Sequence, residues 1–426
     1  MTRKLLIFAL ILSLTIVTFL PVAAEKGSVV ERTSVSGMTI LLEKNDSQLV
    51  EIALLLKSGS GLDPVGKKGT AELMNNFIRI RFRNAENKYG QIALETYPEF
   101  TLVRIRVAPA NLKLALQDIK ELFSIPVYSY DIITDLKKLA ESELKAIPSI
   151  VKAYFTFNKE FYGVDHPYNE YLDAQAISNI TGSDVYRWYR QTYQPSNALL
   201  SISGNVKLGI KDLHKFFANM ITESVDKRLS IQPAVVKANK SVTDVDPNGR
   251  VVSFVMGFAA PRIQDPEYPA FRIIAYYLGD YQHYFEEVRV KEGLMYADSI
   301  YYNYIEKAKS PNIVFLTTTD PQLVERVTEK TLEVVNRLIQ EGIDEQIIKR
   351  IVNNIKLRVD SRKKSGRDKA VVNVLTHYLQ SQLVDDELLL KELEKVTPAD
   401  IKAAAGKYFT NYIKVVYQPK VKAEHF

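Results

Sequence analysis

The 426-residue chain contains no cysteine. Disulfides, thiol catalysis, Cys-ligated zinc and a lipid-modified N-terminal Cys are therefore excluded. Histidine is scarce as well. No two of His166, His214, His283, His377 and His425 lie within a helical turn of each other, so no helix face offers a two-His zinc arm. Neither H-E-x-x-H nor H-x-x-E-H occurs, and G-x-S-x-G, the P-loop and G-x-G-x-x-G are also missing. Charge of one sign is not in excess: 56 basic and 50 acidic residues leave a net charge of +6. Without a Lys/Arg stripe, nucleic acid is not an expected partner. Past the N-terminus no apolar run is long enough to span a bilayer.

What is present is ordinary globular material. Apolar residues make up 46% and charged residues 25%, and the length suits two or three domains with their own cores. The first residues stand apart. Arg3 and Lys4 precede an apolar run from Leu5 to Leu20, and Pro21-Val22-Ala23-Ala24 closes it with small residues. This is the pattern of a secretory signal over residues 1–24, cleaved after Ala24. It implies a periplasmic or extracellular protein, with no stable membrane span after cleavage. The rival reading keeps the segment as an anchor.

An apolar run closed by the turn-rich Ser58-Gly59-Ser60-Gly61 marks a strand at Leu49–Leu56, and period-two alternation marks another at Glu99–Val107, with Leu102, Arg104 and Arg106 on one face and Thr101, Val103, Ile105 and Val107 on the other. Helical patterns cover Lys68–Phe82, Ala110–Leu122 and Tyr130–Ile147. Thr181-Gly182-Ser183-Asp184 reads as a helix cap, its helix runs to about Thr192, and a strand follows at Ala198–Ser203. The same order returns in the second half. Thr397-Pro398-Ala399-Asp400 caps a helix that ends in Tyr408 and Phe409, and Ile413–Tyr417 is its strand; the offset is 397 − 181 = 216 residues. Val251–Phe258 resembles the first strand, and Pro269–Leu278 stands where the first helix stood. The reading is α+β with two homologous domains, each a mainly antiparallel sheet covered by helices. The boundaries are 25–223, a polar Lys-rich linker at 224–247, and 248–426. The bland alternative is one large α+β domain with a chance repeat of a common cap.

Taken alone, the chemistry-bearing residues have plain readings. His166, in Asp165-His166-Pro167-Tyr168, is a loop residue ahead of a turn. The pairs Glu141/Glu143 and Glu286/Glu287 suit solvated helix faces and do not by themselves define a two-carboxylate site. Arg289 and Tyr296 suit a helix-end Arg and a strand Tyr.

The chain resembles the insulinase/pitrilysin-type zinc peptidases, the group that includes mitochondrial processing peptidase. The resemblance covers nearly all of the mature chain. It rests on Ser58-Gly59-Ser60, Gly69-Thr70-Ala71, Glu99-Phe100-Thr101, Asp165-His166-Pro167-Tyr168, Tyr193-Gln194-Pro195-Ser196-Asn197-Ala198 and Gly204-Asn205-Val206 in the first half. In the second it rests on Gly257-Phe258-Ala259-Ala260-Pro261, Tyr276-Tyr277-Leu278-Gly279, Arg289 to Tyr296 and Val396 to Ile401. The resemblance implies duplicated α+β domains. It also implies where the chemistry has been lost. Active members carry H-x-x-E-H on the first helix, with two His on zinc and a Glu activating water. Here the aligned residues are Glu72-Leu73-Met74-Asn75-Asn76, so ligands and base are replaced. A third ligand would fall near Glu141 or Glu143, and one carboxylate does not hold catalytic zinc alone.

A second family site is kept. Arg289 and Tyr296 match the Arg and Tyr that such enzymes use to bind substrate and stabilise the tetrahedral intermediate. The resemblance thus implies a non-catalytic, substrate-binding subunit of a heterodimeric zinc peptidase outside the cytoplasm. Its partner would be a zinc-bearing homologous subunit, its ligand a peptide substrate, and this chain would need no cofactor of its own. Two alternatives stand: an inactive homologue serving as a scaffold or peptide-binding protein, and an enzyme with an unusual metal site built from Glu72, Glu141 or Glu143 and a distant His.

Overall fold

The alternating segments become the strands of two sheets in the computed structural model, which describes residues 29–124, 130–222, 229–247, 249–365 and 368–420. The expected signal segment lies outside the described residues, as do residues 223–228 at the start of the expected linker. No helix among the described residues is long and apolar enough to cross a membrane. The chain divides into two units. One holds Met1–Ala146, Leu172–Leu229 and Val359–Gln380; the other holds Ile147–Tyr171, Ser230–Arg358 and Ser381–Phe426.

The first unit has six strands: β1 (Val30–Val35), β2 (Met38–Lys44), β3 (Val50–Leu56), β4 (Gly90–Thr96), β5 (Thr101–Val107) and β6 (Ala198–Gly204). They lie in the order β1-β2-β6-β3-β5-β4. β2 and β6 run parallel, and the other neighbours are antiparallel. The second unit has β7 (Lys240–Asp246), β8 (Val252–Ala259), β9 (Ala297–Tyr302), β10 (Asn312–Thr319) and β11 (Tyr412–Pro419), in the order β7-β11-β8-β10-β9. Its β7–β11 pair is the parallel one. Remove β1 and the two sheets match strand for strand, parallel pair included. That match is the duplication expected from the repeated cap, helix and strand.

Both repeated caps form. Thr181 accepts from the Asp184 N–H at 3.2 Å, and the Asp184 carboxylate accepts from the Thr181 N–H at 2.8 Å. Thr397 and Asp400 repeat this at 3.3 and 2.9 Å. Each box satisfies donors that a helix start leaves unpaired. The two differ in surroundings. Asp184 is buried and takes a salt bridge from Lys67 at 2.6 Å, whereas Asp400 is exposed.

Helices of the first unit are α1 (Thr70–Tyr89), α2 (Leu112–Glu121), α3 (Tyr130–Ala146), α5 (Ala174–Ser178), α6 (Gly182–Thr192), α7 (Ile210–Phe216) and α12 (Lys369–Leu379). Helices of the second are α4 (Ser149–Tyr162), α8 (Tyr268–Leu278), α9 (His283–Phe285), α10 (Val324–Gln340), α13 (Asp386–Leu393) and α14 (Pro398–Tyr408); the division falls within α11 (Glu345–Ser365). α1 begins after Gly69, whose φ of +103° few side chains tolerate. Asp63 accepts from the Gly69 and Ala71 N–H groups at 2.8 Å each and so caps this start. Burial pushes the Asp63 carboxyl up to about 7 against those two donors. The spacing of Ala71, Met74, Ile78 and Phe82 turns one face of α1 into the core, beside Ile52, Leu54, Val103 and Ile105 of the sheet.

Each sheet has a second face, and late or early chain covers it. In the first unit α12 packs on β2, β3 and β6 and buries Ala370, Val374, Leu375 and Leu379. Asn373 donates to Glu43 at 2.8 Å, and the Tyr378 hydroxyl donates to Glu99 at 3.0 Å. In the second unit α4 packs on β8 and β11, where Phe157 and Phe161 meet Val255, Val314 and Val415. A Cβ on Gly257 would lie 2.4 Å from the Phe157 ring, so only glycine lets α4 approach β8 this closely.

Candidate functional site

The residues aligned with the zinc motif sit on the first two turns of α1, and hydrogen bonds to surrounding side chains occupy them. Asn75 is fully buried. Its amide nitrogen donates to Thr96 Oγ1 at 2.7 Å and Thr101 Oγ1 at 3.1 Å, and its oxygen accepts from the Tyr193 hydroxyl at 2.5 Å. Thr101 passes its own proton to the Ser58 carbonyl at 2.8 Å, and Thr96 donates to Glu72 at 2.7 Å. Every hydroxyl proton in this set is committed. A carboxylate in place of Asn75 would bring no donor, so Thr96 and Thr101 would each lose one. The position is built for an amide.

Glu72 and Asn76 share a cation, Arg79. Positions 72, 76 and 79 are i, i+4 and i+7 on one helix face. The Arg79 guanidinium donates to Glu72 Oε1 and Asn76 Oδ1 at 2.5 Å each and to the Leu94 carbonyl at 3.0 and 3.2 Å. Glu143, expected near this helix, feels its charges. Burial, then the Glu72 charge, raises its carboxyl above the ordinary value, while Arg79 pulls the other way. Among the described residues no three of His, Asp and Glu gather as a metal-holding group. The Arg79, Thr96 and Tyr193 contributions were not expected from sequence. The 72/76/79 spacing was the available signal for the first; the other two reach α1 only through the fold.

His166 lies in the second unit. Its ring contacts the Gln232 carbonyl at 2.8 Å and the Tyr168 N–H at 3.0 Å, and its carbonyl closes a turn with Asn169. Nearby Lys307 is 1% exposed, pairs with Glu170 at 2.8 Å and donates to Asn158 at 2.6 Å. These are packing roles for the loop.

Arg289 and Tyr296 lie in the second unit as well, and both are open to solvent. Arg289 belongs to a widened helical turn, Glu286–Val290, closed by Lys291 N–H to the Glu286 carbonyl at 3.0 Å. Its guanidinium makes no hydrogen bond or ion pair to any described residue. Tyr296 is 51% exposed and is fixed to β10 through its N–H on the Thr318 carbonyl at 2.9 Å. Its hydroxyl donates to Asp320 at 2.9 Å. That bond raises the phenol above its ordinary value, and the Arg289 charge acts in the opposite sense, so the two side chains are electrostatic neighbours. A guanidinium carries five N–H donors in a planar fork that matches a carbonyl or carboxylate.

Residues 179–355 match the model of the peptidase M16 inactive domain. Zinc protease PqqE of Helicobacter pylori is 25% identical over 198 residues, 42% of this chain and 43% of that protein, so the chain spans under half of that relative's length. Among solved structures, a protease from Helicobacter pylori superposes with a TM-score of 0.83 at 18% identity, covering 92% of this chain and all of that one. The periplasmic protease PqqL from Escherichia coli does so with a TM-score of 0.71 at 18% identity, covering 96% of this chain and 49% of that one. The chain is thus similar to the M16 peptidases, the insulinase/pitrilysin family, and residues 179–355 match their inactive domain.

Proposed function

We propose that this protein is the non-catalytic, substrate-binding subunit of a zinc peptidase that works outside the cytoplasm. A homologous subunit supplies the zinc, and this chain supplies Arg289, Tyr296 and half of a peptide-binding chamber. The observation that carries the reading is the state of α1. Glu72, Asn75 and Asn76 are spent on Arg79, Thr96, Thr101 and Tyr193. The exposed Arg289 guanidinium, by contrast, makes no hydrogen bond among the described residues. A guanidinium and a phenol, both exposed and within each other's electrostatic influence, suit a peptide carbonyl and the oxyanion formed on it. The peptide itself would add to a sheet edge as an extra strand. The apolar run and small-residue exit at residues 5–24 support export, and the periplasmic placing of PqqL points the same way.

The test is to purify the mature chain alone and together with a co-expressed M16 homologue that has H-x-x-E-H. Alone, it should bind no stoichiometric zinc and cut no peptide. Together they should elute as one heterodimer with chelator-sensitive cleavage. About one zinc per isolated chain, with cleavage, sinks the proposal. A chain that stays monomeric beside every such homologue points instead to a scaffold or peptide-binding role.

A further inference from the structure

The widened turn that carries Arg289 is pinned on both sides by carboxylates. Glu287, two residues before Arg289, is 4% exposed. It pairs with Lys291 at 2.6 Å, Arg337 at 3.4 Å and Lys330 at 3.7 Å. Glu292, three residues after, pairs with Lys330 and with Arg326, each at 2.8 Å. Lys330, Arg326 and Arg337 all project from α10, and Lys330 is itself buried. One lysine thus holds both ends of the segment, and the Arg between them makes no hydrogen bond or ion pair among the described residues.

Burial raises the Glu287 carboxyl, but the Lys291 hydrogen bond and the Arg337 charge outweigh it and keep the group below its ordinary range, hence ionised. His283 also faces it; burial drops this imidazole to about 4, so it adds no charge at neutral pH. A turn with i to i+5 bonding is an unstable local choice. It persists where surrounding structure over-determines it, and such places cluster at functional sites.

We propose that Glu287 and Glu292 are positioning residues: by tying the widened turn to α10 they fix where the Arg289 guanidinium stands relative to Tyr296. The inference rests on the reading of Arg289 and Tyr296 as the peptide-binding pair, yet its test needs neither peptide nor partner. Tyr296 is the reporter. Its ionisation answers to two charges, Asp320, which opposes the phenolate, and Arg289, which favours it. The phenolate is the form that tetranitromethane nitrates, so nitration in mildly alkaline buffer, followed by mass spectrometry of the Tyr296 peptide, reads the Arg289 distance in the folded full chain.

Arg289→Ala sets the scale by slowing nitration. Glu287→Gln removes a negative charge, and by that effect alone would speed it. If the turn is released and Arg289 drifts away, nitration instead slows about twofold or more. The two causes have opposite signs. Glu287→Gln should therefore slow the reaction in the parent and have no slowing effect on top of Arg289→Ala. Unchanged or faster nitration in Glu287→Gln overturns the proposal, as does equal slowing in the Arg289→Ala background. Should Glu287→Gln fail to fold, Glu292→Gln, at the more exposed end, should slow nitration by a smaller factor, and no change there overturns the proposal as well. A positive nitration result with no peptidase in the co-expression experiment would leave the positioning intact and remove only its purpose.

Discussion

Two units share one strand order and one capping box, and they treat their polar residues in opposite ways. In the first, the groups that stand at the zinc motif's place are bonded to side chains around them: Asn75 to Thr96, Thr101 and Tyr193, Glu72 and Asn76 to Arg79. In the second, Arg289 is exposed and makes no hydrogen bond to a described residue, and the Tyr296 hydroxyl bonds to Asp320. A site that is internally satisfied gains rigidity and has nothing left to offer a ligand. A site held by a scaffold but open at its tip keeps its hydrogen-bonding capacity for something outside the chain. Changes to the first unit's set should thus cost stability and leave function alone. Changes to the second's should do the reverse.

The largest expected effect lies in the second unit. In the reconstituted pair, Tyr296→Phe should lower kcat by about 10²–10³-fold, the usual loss for one oxyanion donor. Zinc content, dimer fraction and melting temperature should stay at parental values, because the hydroxyl is exposed. Peptide cleavage within twofold of the parent would end the active-site role and with it the contrast. Next comes Asn75→Ala in the first unit. It strands the Tyr193 hydroxyl in the core and removes the donor to two threonines, at a cost of about 2–3 kcal/mol. Urea unfolding measures this, and the folded variant should support full cleavage in the pair.

A third change tries to turn the first unit back into a metal site. Glu72→His, Asn75→Glu and Asn76→His together restore the motif but leave the Arg79 guanidinium among the ligands. Adding Arg79→Ala should then tighten zinc binding about 10–100-fold over the triple variant, the size of effect seen for groups just outside a ligand set. Equal affinities by isothermal titration would show that Arg79 does not hold the site closed.

The smallest effects compare the two caps. Asp400→Ala should cost about 1 kcal/mol or less, and Asp184→Ala more, because it also frees Lys67. Burial raises the Asp184 carboxyl, yet the bonds from Lys67 and Thr181 win and set it at about 2, below the ordinary 3.8. A depressed carboxyl stabilises the fold above its unfolded value and stops doing so as pH falls toward 2. The acid limb of the stability curve should flatten in Asp184→Asn when chemical denaturation is repeated across that window.

Much of this contrast is legible in the amino-acid sequence itself. Capping boxes are local, so Thr181/Asp184 and Thr397/Asp400 declare themselves, as do β3, β5 and β11 with their largely buried apolar runs. β1 and β9 are edge strands with little buried side-chain surface, and their pattern is correspondingly faint. An amphipathic stripe says that a helix has a face to bury but not which sheet will take it, so α4 and α12 could not be assigned in advance. The same limit applies to the polar set on α1. Glu72, Asn76 and Arg79 share a visible face, but Thr96, Thr101 and Tyr193 come from β4, β5 and the end of α6. Glu141 and Glu143, two residues apart, point to different sides of α3, and only packing separates them.

The placement of α12 carries a consequence for how the molecule is made. A growing chain emerges from its N-terminus, and domains generally fold as units in that order. Here the first sheet has all six strands once Gly204 is out, yet the helix that lies over β2, β3 and β6 is not complete until Leu379. Through the intervening synthesis Leu55, Leu199 and Leu102 on that face lack their cover, a state prone to sticking to other chains. Nascent polypeptide released early should consequently be a client of chaperones, and a fragment stopped before residue 369 should aggregate unless a peptide spanning α12 is supplied in trans.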